Sequence, residues 1–206
     1  MLLSLLPGRA ARVVLPILLL SAAPASAHPH VFIDYTVTVL FDDKTAQAVR
    51  LSWTFDEMYS SMLLHDYTSR PPRDALTPAD VKSLRKQAFE DTADYHYFVD
   101  LKLNGVTLPV PQVTDFDARF HDHRMTYTFT VPIPAATSPA RNSLEVDAFD
   151  NEFYIDFELA KTHAVAVEHG ETLGASCTPK QLERNTTMVG SVSSIVVVCT
   201  YGPKSS

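Results

Sequence analysis

Hydrophobic and polar positions alternate through most of this chain with the period of strands. Val31 to Phe41, "VFIDYTVTVLF", is rich in β-branched and aromatic residues and gives way to "DDKTAQ", a turn composition. In "VRLSWTF" the alternation is strict, with Val49, Leu51, Trp53 and Phe55 on one face. Two such runs joined by a short polar segment predict a hairpin. The same period returns after Tyr95, in "YFVDLKLNG", "VTDFDARFHD", "RMTYTFTVPI", "SLEVDAFD", "FYIDFEL" and "SSIVVVCTY". "GASCTPKQLER" fits neither period cleanly.

Between the hairpin and the later strands the pattern turns helical. Thr54 and Glu57 have the T-x-x-E spacing of a capping box, and Met58, Met62 and Leu63 then recur at helical spacing. "HDYTSRPPRDA", with Pro71 and Pro72, reads as a loop. "TPADVKSLRKQAFEDTADY" predicts a second helix. Thr77 caps it, Pro78 suits its first turn, and Asp80 lies near the positive end of its dipole. Val81, Leu84, Ala88 and Phe89 form its buried stripe. There are no internal repeats and no low-complexity linkers. The expected fold is α+β and mainly β: an antiparallel β-sandwich-like domain with a two-helix insertion after the first hairpin.

The first 27 residues read as a signal peptide. Arg9 and Arg12 supply positive charge, "VVLPILLL" a short apolar centre, and Ala25-Ser26-Ala27 an A-x-A cut site. Ala23-Pro24-Ala25 is a second possible site. The expected division is therefore a leader at 1–27 and a single mainly-β domain at 28–206, exported to a periplasm. No later apolar run approaches the roughly 20 residues that span a bilayer, so no membrane-embedded segment is expected after cleavage.

Charge and cysteine usage fit export. The formal charge is −7, and losing Arg9 and Arg12 makes the remainder more negative. That balance argues against nucleic acid, whose binding surfaces are basic. The two cysteines, Cys177 and Cys199, are expected to pair in an oxidising compartment. Closing a loop of about 20 residues contributes roughly 3 kcal/mol if unstrained. A thiolate metal site is the alternative, poorly supported without a C-x-x-C spacing. Oligomeric state is not legible.

Candidate chemistry lies in two H-x-H pairs, His28/His30 at the expected mature terminus and His121/His123 in "FHDHRM". In an extended strand, residues two apart share a face, so both imidazoles of a pair can reach one Zn, Cu, Ni or Co ion. Against this, His121-Asp122-His123 also suits a polar hairpin turn, and His28 and His30 a frayed terminus. A terminus cut at His28 offers an amine and an imidazole together. Pro29 lacks an N–H, which excludes the square-planar mode that needs two deprotonated amides. A cut after Ala25 would instead expose Ser26-Ala27-His28, which satisfies that mode. Neutral imidazole binds metal and imidazolium does not, so affinity is expected to fall steeply below about pH 6.

Other site classes fare worse. Asp66 to Thr77 has the length of a calcium-binding loop, but Arg70, Pro71 and Thr77 stand where oxygen ligands, glycine and glutamate belong. No G-x-S-x-G, H-E-x-x-H or glycine-rich phosphate loop occurs. The chain is therefore read as a non-enzyme with no catalytic residues, a histidine-brace copper oxygenase being the enzyme class left open.

"HPHVFIDYTVTVLFDD", "LSWTFDEMYSSMLL", "YHYF" and "FDNEFYIDF" together resemble the bacterial domain-of-unknown-function family 1007, in matching order from His28 to about Tyr201. The resemblance implies a periplasmic component of an uncharacterised ABC-type transport system, a partner of nickel/cobalt-type permeases. It marks His28 and His30 as candidate ligands and says nothing of His121 and His123. Many relatives carry an acidic, glycine-containing loop between the helices; "TSRPPRDAL" departs from it, so no calcium role carries over. In design alone, the chain is also similar to small β-sandwich copper carriers whose mature first residue is histidine.

The expected function is a periplasmic accessory protein that binds a divalent Ni, Co, Zn or Cu ion and serves an inner-membrane metal permease. The rivals are a metal-independent envelope protein-interaction module and the copper enzyme.

Overall fold

A computed structural model of the protein describes residues 30–69, 75–110, 112–134 and 141–203. The expected leader at 1–27, His28, Pro29 and residues 70–74 of the expected loop lie outside the described residues. The chain opens with β1 (Val31–Phe41) and β2 (Ala46–Phe55), then α1 (Glu57–Tyr67) and α2 (Pro78–Leu84). A π-helical turn (Arg85–Phe89) and a 3-10 stretch (Glu90–Phe98) follow α2. The remaining strands are β3 (Val99–Leu103), β4 (Val106–Leu108), β5 (Thr114–His121), β6 (Arg124–Pro132) and β7 (Asn142–Ala148). After them come β8 (Ile155–Leu159), β9 (Val165–Glu168), β10 (Ser176–Thr186) and β11 (Gly190–Tyr201).

The strands form two sheets. The first runs β5-β6-β2-β1-β8, with β9 also paired to β1; the second runs β10-β11-β7-β3-β4. Pairing is antiparallel except where β8 and β9 add to β1 in parallel. The fold is thus mainly β, with two helices inserted after the first hairpin, as expected. β4 and β9 are too short to show a period, and the ambiguous "GASCTPKQLER" enters β10.

The inward faces of both sheets share one core. Val31, Ile33, Tyr35, Val37 and Val39 of β1 are buried, and so are Leu144 and Val146 of β7 and Val197 of β11. The Tyr35 hydroxyl crosses between the sheets to the Ile195 carbonyl at 2.6 Å. Trp53 sits at the centre, its ring 4.8 Å from Phe129, 5.3 Å from Phe157 and 6.1 Å from Phe89. Cys177 and Cys199 stand opposite each other in the β10–β11 register and are joined by a disulfide. That bond fits an oxidising compartment.

The helical region differs from its expected form. Thr54 does not cap α1. Phe55 is buried and paired with Ile33, which keeps β2 extended through it, and Thr54 instead meets Thr126 across the strands at 3.0 Å. Asp56 is the cap, accepting the Tyr59 N–H at 2.9 Å. Within α1, Ser60 and Leu63 face inward while Met58 (73 % exposed) and Met62 (44 %) face out. The helix also runs on to Tyr67, past the start of the expected loop.

Thr77 and Asp80 do form a reciprocal capping box, with Pro78 in the first turn. Leu84 and Phe89 are buried as expected, Val81 and Ala88 partly so. The helix loosens into the π turn because Phe89 must reach Trp53, Phe129 and Tyr97 from one position. His96, Tyr97 and Phe98 then take left-handed backbone, φ 54°, 53° and 50°, which swings the chain into β3 and buries Tyr97.

Candidate functional site

The start of β1, the end of β2, the start of β6 and the start of β8 lie at one end of the first sheet. Alternation along β1 sends Val31 and Ile33 inward and leaves His30, Phe32 and Asp34 on the outer face. The His30 N–H donates to the Tyr154 carbonyl at 2.9 Å, and its ring lies 4.8 Å from the Tyr154 ring. His30 is thus fixed by its backbone at the mouth of the sheet.

Two carboxylates build this end. Asp56 accepts the Phe32 N–H through Oδ2 at 3.1 Å while Oδ1 caps α1, and its own N–H donates to the Phe32 carbonyl at 3.0 Å. Asp150 is buried and organises the turn before β8. Its Oδ1 accepts the Glu152 N–H, and its Oδ2 accepts those of Tyr154 and Ile155, all within 3.0 Å. The segments "HVFID", "WTFDE" and "FDNEFYIDF" therefore meet here, joined by hydrogen bonds between charged side chains and backbone.

Neighbouring acids share the outer face. Asp156 stands beside Phe32 in the parallel register, with Glu158 beside Asp34. Burial, and then the charge of Glu158, push the Asp156 carboxyl up. Asp34 is paired with Arg124 at 2.7 Å. Arg124 also donates to the carbonyls of Phe55 at 2.6 Å and Thr54 at 2.9 Å, clamping β6 onto the end of β2. Burial, and then the proximity of Tyr67, Tyr154 and Asp56, raise the Tyr59 hydroxyl.

His121 and His123 do not share a strand face. His121 ends β5, and Asp122-His123 is the two-residue turn into β6, with φ 48° and 61°. That is the primed turn a tight hairpin needs, because its twist matches the strands. His121 Nε2 lies 3.2 Å from Asp122 Oδ2, with both side chains well exposed. The turn lies at the same end of the sheet as His30, but β5 is three strands from β1, roughly 14 Å at about 4.8 Å per strand. Among the described residues, no group of three or more His, Cys, Asp or Glu side chains could hold a metal ion together.

A family model described as "Protein of unknown function (DUF1007)" matches residues 13–190. The chain belongs to the DUF1007 family. A Haemophilus influenzae protein described as "Uncharacterized protein" is 25% identical to this DUF1007 chain over 162 residues, covering 77% of the chain and 74% of that protein. A Spirochaeta aurantia protein, "Uncharacterized 15.5 kDa protein in trpE 3'region", is 33% identical over 89 residues, covering 43% of the chain and 63% of that protein.

Sequence reasoning on this DUF1007 member singled out His30 as a candidate ligand and missed what holds its backbone. The role of Asp56 shows only in its contact with Phe32, 24 residues away in sequence. Asp150 and Arg124 carried no spacing signal. Among the described residues, no helix is long and apolar enough to cross a membrane.

Proposed function

We propose that this DUF1007 protein is an exported, periplasmic accessory protein that carries one divalent first-row transition ion, Ni, Co, Zn or Cu, on its His28-Pro29-His30 segment for a membrane permease. The observation that supports this reading most is the locked position of His30. Its backbone is pinned to Tyr154 while its side chain points from the outer face, at the end where three motifs converge.

The donor set suits the ion. A terminus cut at His28 offers an amine and an imidazole, and His30 adds a second imidazole; such nitrogens suit Zn, Cu, Ni and Co alike. The His30 amide N–H is already in a hydrogen bond to Tyr154, so this set uses no backbone amide at that residue. The ion is cargo, and an exposed position favours its release.

A second reading is a protein-interaction module that uses no metal. The half-exposed rings of Phe32 (48 %) and Tyr154 (49 %) beside His30 favour it.

Native mass spectrometry of the protein exported to a bacterial periplasm, with Zn, Cu, Ni and Co offered in competition, separates the two. The carrier reading expects a chain starting at His28 with one ion, lost in the His30→Ala variant. A chain bare in all four metals would overturn it in favour of the interaction module.

A further inference from the structure

The outward face of α1 carries a stripe that the foregoing reading leaves unused. Met58, Met62 and His65 stand at i, i+4 and i+7, within one narrow arc of the helix. Met58 is 73 % exposed and Met62 44 %, and the His65 side chain is 88 % exposed. Residues three or four apart have Cβ atoms about 5–6 Å from each other. Met62 is therefore within reach of both neighbours, and long thioether and imidazole arms can close on one ion beside it.

We propose that Met58, Met62 and His65 form a binding site for a soft monovalent cation, Cu(I). Thioether sulfur selects Cu(I) over the harder divalent ions, and imidazole completes a three-coordinate set. Sulfur donors are otherwise scarce in this molecule. Both cysteines are consumed in the disulfide, Met125 is buried in the core, and Met188, though 60 % exposed, stands alone in the β10–β11 turn. Thioethers also do not form disulfides, so such a site persists where free thiols would be oxidised.

His65 has a carboxylate beside one ring nitrogen and its other ring nitrogen open to solvent. Its Nδ1 lies 2.7 Å from Asp66 Oδ1. With the proton on Nδ1 donated to that carboxylate, Nε2 holds the lone pair and faces away from it. A carboxylate behind an imidazole is the usual partner of a metal-bound histidine, fixing its tautomer and ring orientation. Neither methionine belongs to the buried core, so both thioethers remain accessible to an ion from solvent. The site is separate from His28 and His30 and stands whether or not those residues hold a divalent ion.

The test uses the exported protein, stripped of metal, with Cu(I) supplied anaerobically under ascorbate and bicinchoninate as competing chelator. One equivalent of Cu(I) is expected to bind. Met58→Leu or Met62→Leu should weaken it at least tenfold, and the double variant should lose it, with Zn(II) uptake unchanged. Equal Cu(I) affinity in the double variant, or a parallel loss of Zn(II) uptake, overturns the proposal. Should the variants fail to fold, Ag(I) titrated into methyl-labelled wild-type protein decides. Shifts confined to the Met58 and Met62 methyl resonances support the site, and unmoved resonances overturn it.

Discussion

Asp56 grips Phe32 from both directions, its carboxylate taking the Phe32 N–H at 3.1 Å and its own N–H reaching the Phe32 carbonyl at 3.0 Å. The same carboxylate caps α1 through Tyr59. One side chain thus fixes the helix start and the first turn of β1 next to His30. Asp56→Ala removes a cap, worth about 1 kcal/mol, and leaves the Phe32 donor without its carboxylate, worth about 1 kcal/mol more. Urea unfolding should show a loss of about 2 kcal/mol. Asp56→Ser, which restores the cap but is too short for Phe32, should recover roughly half. A loss of only a few tenths in the alanine variant would mean that water replaces Asp56 at both donors.

The hairpin tip at Asp122-His123 is held in left-handed backbone that asparagine and glycine adopt more readily. The double change Asp122→Asn and His123→Gly keeps the turn type and relieves that cost. It should raise stability by about 1 kcal/mol, seen as a higher midpoint of thermal unfolding. A lower midpoint would show that the two side chains contribute more than the backbone conformation costs.

The strands were legible because one face of each is buried, and burial writes a period of two into the sequence. Val31 to Phe41 and Val49 to Phe55 alternate because Trp53, Tyr35 and their neighbours fill one core. The start of α1 was not legible. Whether Thr54 or Asp56 caps it depends on how far β2 stays paired, and Ile33, from another strand, decides that. At the site, His30 stood out by composition, whereas Asp150 and Arg124 act through backbone groups distant in sequence and leave no local pattern. His121 and His123 illustrate the converse: H-x-H is an extended spacing only if the residues are extended, and a two-residue turn occupies that spot instead.

Asp80 gives a dependence on pH whose sign is fixed. Hydrogen bonds first from Thr77 and then from Ser69 hold its carboxyl below the usual range. A carboxyl depressed in the folded state stabilises the fold fully above its unfolded value, near about 3.9, and less as pH falls through its folded value. Asp80→Asn should therefore be less stable than the parent by a constant amount from pH 5 to 8. The gap should narrow below about pH 4. Unfolding midpoints across that range test it; a gap that stays constant into acid would assign the loss to geometry instead of charge.

Gly170 leaves no room for a side chain. A Cβ there would lie 2.5 Å from Val167 Cγ1, 2.7 Å from Ala175 Cβ and 3.2 Å from Phe41 Cδ2. Ala175 is also tied to Gly170 by a backbone hydrogen bond of 3.0 Å, and Val167 is held in β9 against β1, so neither yields easily. Gly170→Ala should cost about 1–3 kcal/mol as an overpacking change. An unaltered unfolding midpoint would show that this turn shifts freely.

His30 can be separated by experiment from His121 and His123 because the sheet separates them in space. Arg124 bonds to the Phe55 and Thr54 carbonyls, and the Met125 N–H donates to Ser60 Oγ at 2.8 Å, so the β5–β6 turn is fastened beside β2 and α1. Bringing His121 or His123 to an ion held at His30 would require breaking that clamp. Under the carrier reading, His121→Ala with His123→Ala should leave metal stoichiometry at one and change affinity less than threefold, while His30→Ala should weaken binding at least tenfold. Competition against a zinc-responsive dye measures both variants on one scale. Equal losses in the two would mean that the turn unfastens to reach the ion, and a matching fall in the stability of the β5–β6 hairpin on metal binding would then be expected.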